Sequence, residues 1–144
     1  MRYLCQRIMI SYLSLGSNIG DRHRYVDEAC RMIESRVGRI VRRSSDFYSQ
    51  AWGYESEHEY LNICLCVETS LNPEQLLYAT QQIERELGRT VKGVYQDRTI
   101  DIDILLYFDA LGEQVICHTN ELTLPHPRMQ EREFVMVPLK EIVR

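Results

Sequence analysis

Two aspartates separated by one residue, Asp101 and Asp103, form the pattern in this sequence best suited to chemistry. They alternate with apolar residues, so on a β-strand both carboxylates lie on the face opposite Ile100, Ile102, Ile104 and Leu106. Two carboxylates this close repel each other unless a cation lies between them. Because hard oxygen ligands suit Mg²⁺, the pair predicts a site for one or two such ions, with a nucleotide supplying further oxygens. The alternative is an edge strand whose acidic face is only solvated.

Basic residues cluster around this pair in the sequence. Positive charge beside paired aspartates is what a polyphosphate–metal site requires, since the charge on a transferred phosphoryl group must be neutralised. Ordinary solvated surface charge is the alternative for each of these residues. The cations are Arg85, Arg89, Lys92, Arg98, Arg128 and Arg132, against the acidic Glu86 and Asp97 in the stretch from 85 to 98.

A second candidate for phosphate binding is the glycine-rich segment from Gly16 to Gly20. It follows an apolar run and precedes a helical pattern, yet it has no Gly-Lys-Ser/Thr, so the Walker pattern fails. A turn with Asp21 at the helix N-terminus is the simpler interpretation. His126, between Pro125 and Pro127, lies in a rigid turn where it can bind phosphate or simply pack.

The elements that must position these residues follow from periodicity. Ile8 to Leu15 is typical of a buried strand, and apolar residues at helical spacing follow it up to Gly38. Strands are also predicted over 40–48, 60–69 and 99–108, the last with a partner at 114–118. A second helix is expected from the N-cap Asn72, with Pro73 in its first position and Gln75 completing a capping box, to Gly88.

The order strand, helix, strand, strand, helix, strand predicts an α+β fold of the ferredoxin-like βαββαβ type with a C-terminal extension. In that fold both helices lie on one face of an antiparallel sheet. We expect the other face to have no helical cover, which leaves room for a binding site. Asn62 and the two aspartates fall on that open face, because each lies opposite its strand's apolar side.

Length and charge limit the classes to which this protein can belong. The 144 residues suffice for one domain, residues 1–144, in which 1–9 are a possible extension outside the core. The formal net charge of −4 argues against non-specific binding of nucleic acid. No apolar run approaches the roughly 18 residues of a membrane span, and residues 1–10 do not resemble a secretory signal. The five cysteines and four histidines show no zinc-ligand spacing, so we expect reduced thiols in a cytoplasmic protein.

Four motifs in order resemble one family. Leu15-Gly16-Ser17-Asn18, Tyr60-Leu61-Asn62, the run from Arg98 to Ile104, and Leu124-Pro125-His126-Pro127 occur in the same order in 6-hydroxymethyl-7,8-dihydropterin pyrophosphokinases. The resemblance runs from about Ile10 to about Leu139. It implies transfer of a pyrophosphoryl group from ATP to the hydroxymethyl oxygen of the dihydropterin, with release of AMP, in folate biosynthesis.

The resemblance also implies roles for individual residues. Asp101 and Asp103 correspond to ligands of two Mg²⁺ ions, and Arg98 and Lys92 to the basic groups that complete the catalytic set. The residues implied on the pterin side are Ser49, Gly53, Tyr60, Asn62 and Phe134. Those implied on the ATP side are Gln81, Glu84, Arg98, Ile104, Thr123, His126 and Arg132.

The sequence departs from the family pattern around the basic segment. Tyr95-Gln96-Asp97 stands where the family often has Trp-Gly-Pro, and Val91 and Glu121 replace common arginines. An inactive relative that binds pterin or nucleotide is therefore one alternative. An RNA-binding module of the same fold is another, although the paired aspartates would repel phosphate. The partners expected are ATP and the pterin, with no nucleic acid and no membrane, for a monomeric protein.

Overall fold

The chain folds into an antiparallel sheet with helices packed on it. The computed structural model describes residues 7–50, 59–88 and 99–143. The elements, in chain order, are β1 (Met9–Ser17), α1 (Arg22–Arg36), β2 (Gly38–Arg43), β3 (Phe47–Ser49), β4 (Tyr60–Thr69), α2 (Pro73–Glu86), β5 (Asp101–Phe108), β6 (Cys117–His118), β7 (Thr123–Leu124), a 3-10 turn (Met129–Glu131) and α3 (Glu133–Ile142). The predicted α+β class and βαββαβ order are confirmed.

The main sheet has five strands. Its order is β2-β4-β1-β5, and β3 pairs with β4 beyond the end of β2. Every pairing in it is antiparallel. The strand predicted over 40–48 is thus two strands, separated at a point where the Ser44 amide donates to the Cys64 carbonyl at 2.9 Å. Strand β1 lies between β4 and β5, so it is the strand beside which residues from both neighbours meet.

Both predicted helices begin at the expected caps. Gly20 has φ +70°, a conformation that favours glycine, and the next residue, Asp21, accepts from the Arg24 amide at 3.2 Å. Asn72 and Gln75 form the predicted reciprocal capping box at 2.8 and 2.9 Å. Among the described residues, no helix is both long and apolar enough to cross a membrane.

The predicted apolar faces build the larger core. Leu61, Ile63, Leu65 and Val67 of β4 pack with Val26, Ala29 and Ile33 of α1 and with Leu76 and Ile83 of α2. Ile100, Ile102 and Ile104 extend this cluster along β5. Because the whole set is buried, each large side chain contributes about 1.5–3 kcal/mol to folding. This core fixes one face of the sheet, and therefore the direction of the residues on the other.

The predicted face of Leu106 is wrong because β5 contains a bulge. Tyr12 pairs with Leu106 and Leu13 with Ile104, so Leu105 is an extra residue on β5. After this point the alternation shifts by one. Tyr107 joins the isoleucines in the larger core. Leu106 instead packs against a smaller core, which lies on the opposite, second face of the sheet.

The expectation that the second face has no helical cover is also wrong in part. Helix α3 packs on it through Val135, Leu139 and Ile142, in a cluster with Tyr12, Cys64, Cys66 and Leu105. The backbone amide and the hydroxyl of Ser45 both donate to Glu141 Oε1, at 2.9 and 2.7 Å, which fastens α3 to the β2–β3 connection. The other end of the face is not covered by a described helix, so a site can lie there.

The predicted partner of β5 pairs with it only at its start, where the Val115 amide donates to the Tyr107 carbonyl at 2.8 Å, and a separate hairpin follows. Gln114 forms an isolated bridge with Phe108, but β6 pairs with β7 and not with β5. The hairpin returns the chain to the outer edge of β5, where the His126 amide donates to the Leu105 carbonyl at 2.9 Å. The motif around His126 is thereby placed beside β5.

Candidate active site

Three strands bring the predicted polar residues into one row. Gly16 of β1 pairs with Asn62 on one side and with Asp101 on the other. One step along, Ser14 pairs with Cys64 and Asp103. Since adjacent strands lie about 4.8 Å apart, Asn62 and Asp101 are separated by about 10 Å across the sheet. The row places an amide and two carboxylates on the end of the face that α3 does not cover.

Gly16 is a small residue between two larger side chains. A Cβ atom at this position would lie 3.2 Å from Asn62 Oδ1 and 3.3 Å from Tyr60 Cδ1. Both distances are shorter than ordinary van der Waals contact. The glycine therefore lets Tyr60 and Asn62, both predicted pterin residues, lie against the middle strand without displacement.

Hydrogen bonds fix the amide of Asn62. Its Nδ2 donates to Ser49 Oγ at 2.8 Å and to the Phe47 carbonyl at 3.0 Å. The residue is only 2% exposed, so this orientation is held inside the protein. Because the donor hydrogens are directed at β3, Oδ1 is the atom that can accept from a ligand over the row. The structure thus places the predicted Ser49 and Asn62 in direct contact.

Arg132 and Phe134 lie together at the start of α3. The guanidinium carbon of Arg132 is 5.8 Å from the centroid of the Phe134 ring, within the range of a cation–π contact. Phe134 packs against the smaller core without being fully buried. A residue predicted for ATP and one predicted for the pterin are therefore neighbours in space.

Glu84 holds the outer edge of β5. The residue is 2% exposed, and its Oε2 accepts from the amide of Ile102 at 2.7 Å. Ile102 is the residue between the two aspartates, so this contact fixes the strand at the point that carries them. Gln81 lies one turn earlier on α2 and is half-buried. The role of both residues toward ATP stays a prediction.

A cavity of about 200 Å³ lies at this edge. It brings Asp103 together with three residues predicted for ATP, Ile104, Thr123 and His126. The remaining lining includes Leu77 of α2 and residues of the hairpin, namely Asn120, Glu121 and Leu122. Sequence reasoning missed Asn120 and Leu122, because only the pairing of β6 with β7 brings this segment to β5.

The ring of His126 is oriented by the backbone. Its Nδ1 accepts from the Arg128 amide at 3.2 Å. In the neutral imidazole the proton is consequently on Nε2, which makes that nitrogen a hydrogen-bond donor. A donor at the rim of the cavity suits an anionic oxygen.

Three predicted site residues, Gly53, Lys92 and Arg98, lie outside the described ranges. Within those ranges no three side chains among histidine, cysteine, aspartate and glutamate form a metal-binding group. The described cysteines, Cys30, Cys64, Cys66 and Cys117, are free thiols. Burial raises the pKa of Cys30 to about 11 and that of Cys64 to about 12, so neither supplies a thiolate at neutral pH.

Comparison with known proteins gives a consistent result over most of the chain. The family model for 7,8-dihydro-6-hydroxymethylpterin-pyrophosphokinase matches residues 12–144. A Porphyromonas gingivalis 2-amino-4-hydroxy-6-hydroxymethyldihydropteridine pyrophosphokinase is 48% identical over 136 residues, which cover 92% of this chain and 90% of that protein. The Bacillus subtilis enzyme of the same name is 44% identical over 134 residues, covering 92% and 77%.

A solved structure shares the fold at low sequence identity. The crystal structure of wild-type Plasmodium falciparum HPPK-DHPS with SDX-DHP aligns with a TM-score of 0.69 at 15% identity. The alignment covers 94% of this chain and 40% of that larger one. With the motifs, the polar row and the match over residues 12–144, the conclusion is that this chain belongs to the 7,8-dihydro-6-hydroxymethylpterin-pyrophosphokinase family.

Proposed function

We propose that this protein transfers a pyrophosphoryl group from ATP to 6-hydroxymethyl-7,8-dihydropterin, as a diphosphotransferase of folate biosynthesis. The observation that carries the proposal is the order of groups across the sheet. Asn62 lies on one side of β1, Asp101 and Asp103 lie on the other, and the cavity with His126 follows at the outer edge of β5. An acceptor, a charged phosphate chain and a nucleotide can bind in that order.

The pterin belongs on the β4 side of the row. Asn62 Oδ1 accepts a hydrogen bond from a ring N–H, while Ser49 and the Phe47 carbonyl keep the amide in this orientation. Tyr60 and Phe134 offer aromatic surface for a flat heterocycle. Gly53, outside the described residues, is assigned to the same side by the resemblance alone.

Asp101 and Asp103 are the residues that would hold Mg²⁺. Two half-buried carboxylates on one strand face supply hard oxygen donors. Triphosphate oxygens would supply further ligands, since the described residues contain no cluster of three histidine, cysteine, aspartate or glutamate side chains. When bound, two such ions neutralise phosphate charge and align the triphosphate. Glu84 keeps the intervening Ile102 in place, so the two carboxylates keep their spacing.

The nucleotide belongs in the cavity at the edge of β5. Leu77, Ile104 and Leu122 give it an apolar lining that suits a purine base. His126 Nε2–H donates to a phosphate oxygen, and Arg132 adds positive charge near Phe134. Lys92 and Arg98, outside the described residues, are the further cations that the proposal assigns to the phosphates.

The transfer requires no covalent bond to the protein. The pterin hydroxyl oxygen attacks the β-phosphorus of ATP, and the bond from that phosphorus to the α,β-bridging oxygen breaks. The bridging oxygen leaves with AMP, and the hydroxyl proton passes to solvent. The protein contributes position and charge neutralisation, which supply most of the acceleration in phosphoryl transfer.

The decisive experiment incubates the protein with ATP, Mg²⁺ and the hydroxymethyl dihydropterin and identifies both products. AMP and the pterin diphosphate should form only when both substrates are present, and EDTA should stop the reaction. ADP as the nucleotide product, or binding of both substrates without turnover, would contradict the proposal. The second outcome would identify the inactive relative.

Asn62→Ala separates the two sides of the site. We expect pterin affinity to fall about tenfold or more, since a buried hydrogen-bonding group is lost, while ATP affinity changes less than about twofold. Calorimetric titration of each ligand measures both. Glu68→Ala is the control, because Glu68 lies on the same strand, away from the site, where its carboxylate is 3.9 Å from the exposed Arg39. Equal losses for both ligands would contradict the assignment of Asn62.

A further inference from the structure

We propose that Arg22 is a positioning residue for the pterin side of the site, an inference that rests on the proposed function. Arg22 is the first residue of α1, next to the cap Asp21. It lies on none of the strands that carry the site. Nothing in the motifs or the comparisons assigns it a role.

One side chain connects two separate parts of the chain. Arg22 Nη1 donates to the carbonyl of Glu59 at 2.8 Å. Its guanidinium carbon also lies 5.4 Å from the centroid of the Tyr48 ring, a cation–π contact. Glu59 immediately precedes β4, and Tyr48 is the middle residue of β3. Arg22 therefore holds β3 and the start of β4 against the same helix end.

These contacts flank the hydrogen bond that orients Asn62. In the β3–β4 ladder, Phe47 pairs with Asn62, Tyr48 with Leu61 and Ser49 with Tyr60. The Asn62 amide bonds to Phe47 and Ser49, the residues on either side of Tyr48. A shift of Tyr48 consequently moves both acceptors of Asn62 together.

His23 adds a second support to Tyr48. Its Nε2 lies 3.0 Å from the Tyr48 hydroxyl, and its Nδ1 lies 3.7 Å from a carboxylate oxygen of Asp46. Arg22 thus contacts the ring face, while His23 contacts the hydroxyl. Helix α1, which carries Arg22 and His23, is held rigidly because its Val26, Ala29 and Ile33 are buried in the larger core.

The support matters because β3 is a short strand. It has three residues, and within the described ranges it pairs with one strand, β4, while α3 lies beside it. Tyr48 is 44% exposed, so little apolar burial fixes it. Loss of Arg22 should therefore leave the fold intact while the geometry around Asn62 becomes less defined.

The test compares Arg22→Ala with Arg24→Ala. Arg24 is two residues away, and among the described residues its side chain contacts Tyr25 and Glu28, neither of which lies in β3 or β4. Equilibrium titrations with the dihydropterin and with a non-hydrolysable ATP analogue are run on both variants. Hydrogen exchange of the amides in 47–49 and 60–62 is measured in parallel. Tyr48→Phe, which removes only the contact with His23, is a third variant.

In Arg22→Ala we expect pterin affinity to fall about tenfold, nucleotide affinity to change less than about twofold, and exchange in the two segments to accelerate. Arg24→Ala should match the wild type in pterin affinity, nucleotide affinity and hydrogen exchange. Tyr48→Phe should lose less pterin affinity than Arg22→Ala. An equal loss for both ligands, or unchanged pterin affinity and exchange, overturns the inference. If the wild type itself does not bind pterin, the proposed function fails, and the exchange result alone then decides whether Arg22 holds β3.

Discussion

The second face of the sheet has two ends that the same three strands build differently. Along β1 the residues change from Tyr12 to Ser14 to Gly16, and along β4 from Cys66 and Cys64 to Asn62. At one end α3 covers them with Val135, Leu139 and Ile142. At the other end no described helix lies over the row, and Asn62, Asp101 and Asp103 occupy it.

The difference separates stability from function within one surface. The covered end excludes water and contributes hydrophobic free energy, whereas the other end carries polar groups that need hydrogen-bond or charge partners. Since both ends share strands, the apolar end serves as the rigid support of the polar one. Changes at the two ends should therefore affect different measurements.

The largest expected effect is loss of turnover in Asp101→Ala or Asp103→Ala. Each variant removes an oxygen donor proposed to hold Mg²⁺, and we expect kcat to fall by about a thousandfold or more. Both variants should remain folded at the assay temperature, because the two side chains are half-buried and belong to neither apolar core. Glu113→Ala, in the exposed β5–β6 turn, is the acidic control. Near-normal turnover in either aspartate variant would remove the metal assignment.

A large effect on stability alone is expected from Leu139→Ala at the covered end. Leu139 is 3% exposed, and its truncation leaves a cavity that should lower the free energy of unfolding by about 2–5 kcal/mol. Urea denaturation measures this loss. The neighbouring exposed Lys140→Ala should change it by less than about 0.5 kcal/mol. A selective loss of pterin affinity in folded Leu139→Ala would contradict the separation of the two ends.

A moderate and selective effect is expected from Gly16→Ala. The new methyl group must displace Asn62 or Tyr60 by a few tenths of an ångström, so pterin affinity should fall about tenfold with little change for ATP. The double variant with Asn62→Ala tests the cause, because it removes the 3.2 Å contact. Its combined loss should be smaller than the sum of the two single losses. Strict additivity would show that Asn62 is not what the methyl group displaces.

The smallest effect is a pH dependence at the attachment of α3. Hydrogen bonds from the Ser45 hydroxyl and amide lower the pKa of Glu141 below its ordinary 4.5. The folded state therefore binds its proton less readily than the unfolded state, and the contribution is complete above pH 4.5 and is lost as pH falls through the lowered value. Glu141→Gln should be less stable than wild type at pH 7, with a gap that narrows in acid. A gap independent of pH in chemical denaturation would contradict this.

Helix α3, which covers one end of the second face, is the element that the sequence patterns predicted least well. Val135, Leu139 and Ile142 have helical spacing, but Pro138 between them usually interrupts a helix. By contrast, the alternation in β4 and the capping box of α2 predicted both elements closely, because each signal is local. The bulge at Leu105 has no local signal, since it exists only in the pairing of β5 with β1.

The residues of the site also differ in whether the sequence or only the structure identifies them. The paired aspartates were singled out by their residue type and alternation, and His126 by the two prolines around it, whereas the roles of Asn62 and His126 toward the substrates came from the family resemblance. Asn120 and Leu122 were not, because a two-residue pairing of β6 with β7 brings them to the cavity. The contacts of Arg22 with Glu59 and Tyr48 join residues far apart in sequence and follow no periodicity.

By itself the sequence determined the order of the elements, the apolar faces of β4 and α1, the caps of both predicted helices and the family. These depend on periods of two or 3.6 residues and on short motifs, which are properties of neighbouring residues. Only the tertiary structure decided that α3 covers one end of the second face, that Gly16 separates Asn62 from Asp101, and that Glu84 supports the strand between the aspartates. Those relations depend on which strands pair and in which register, and that is set by the packing of the whole sheet.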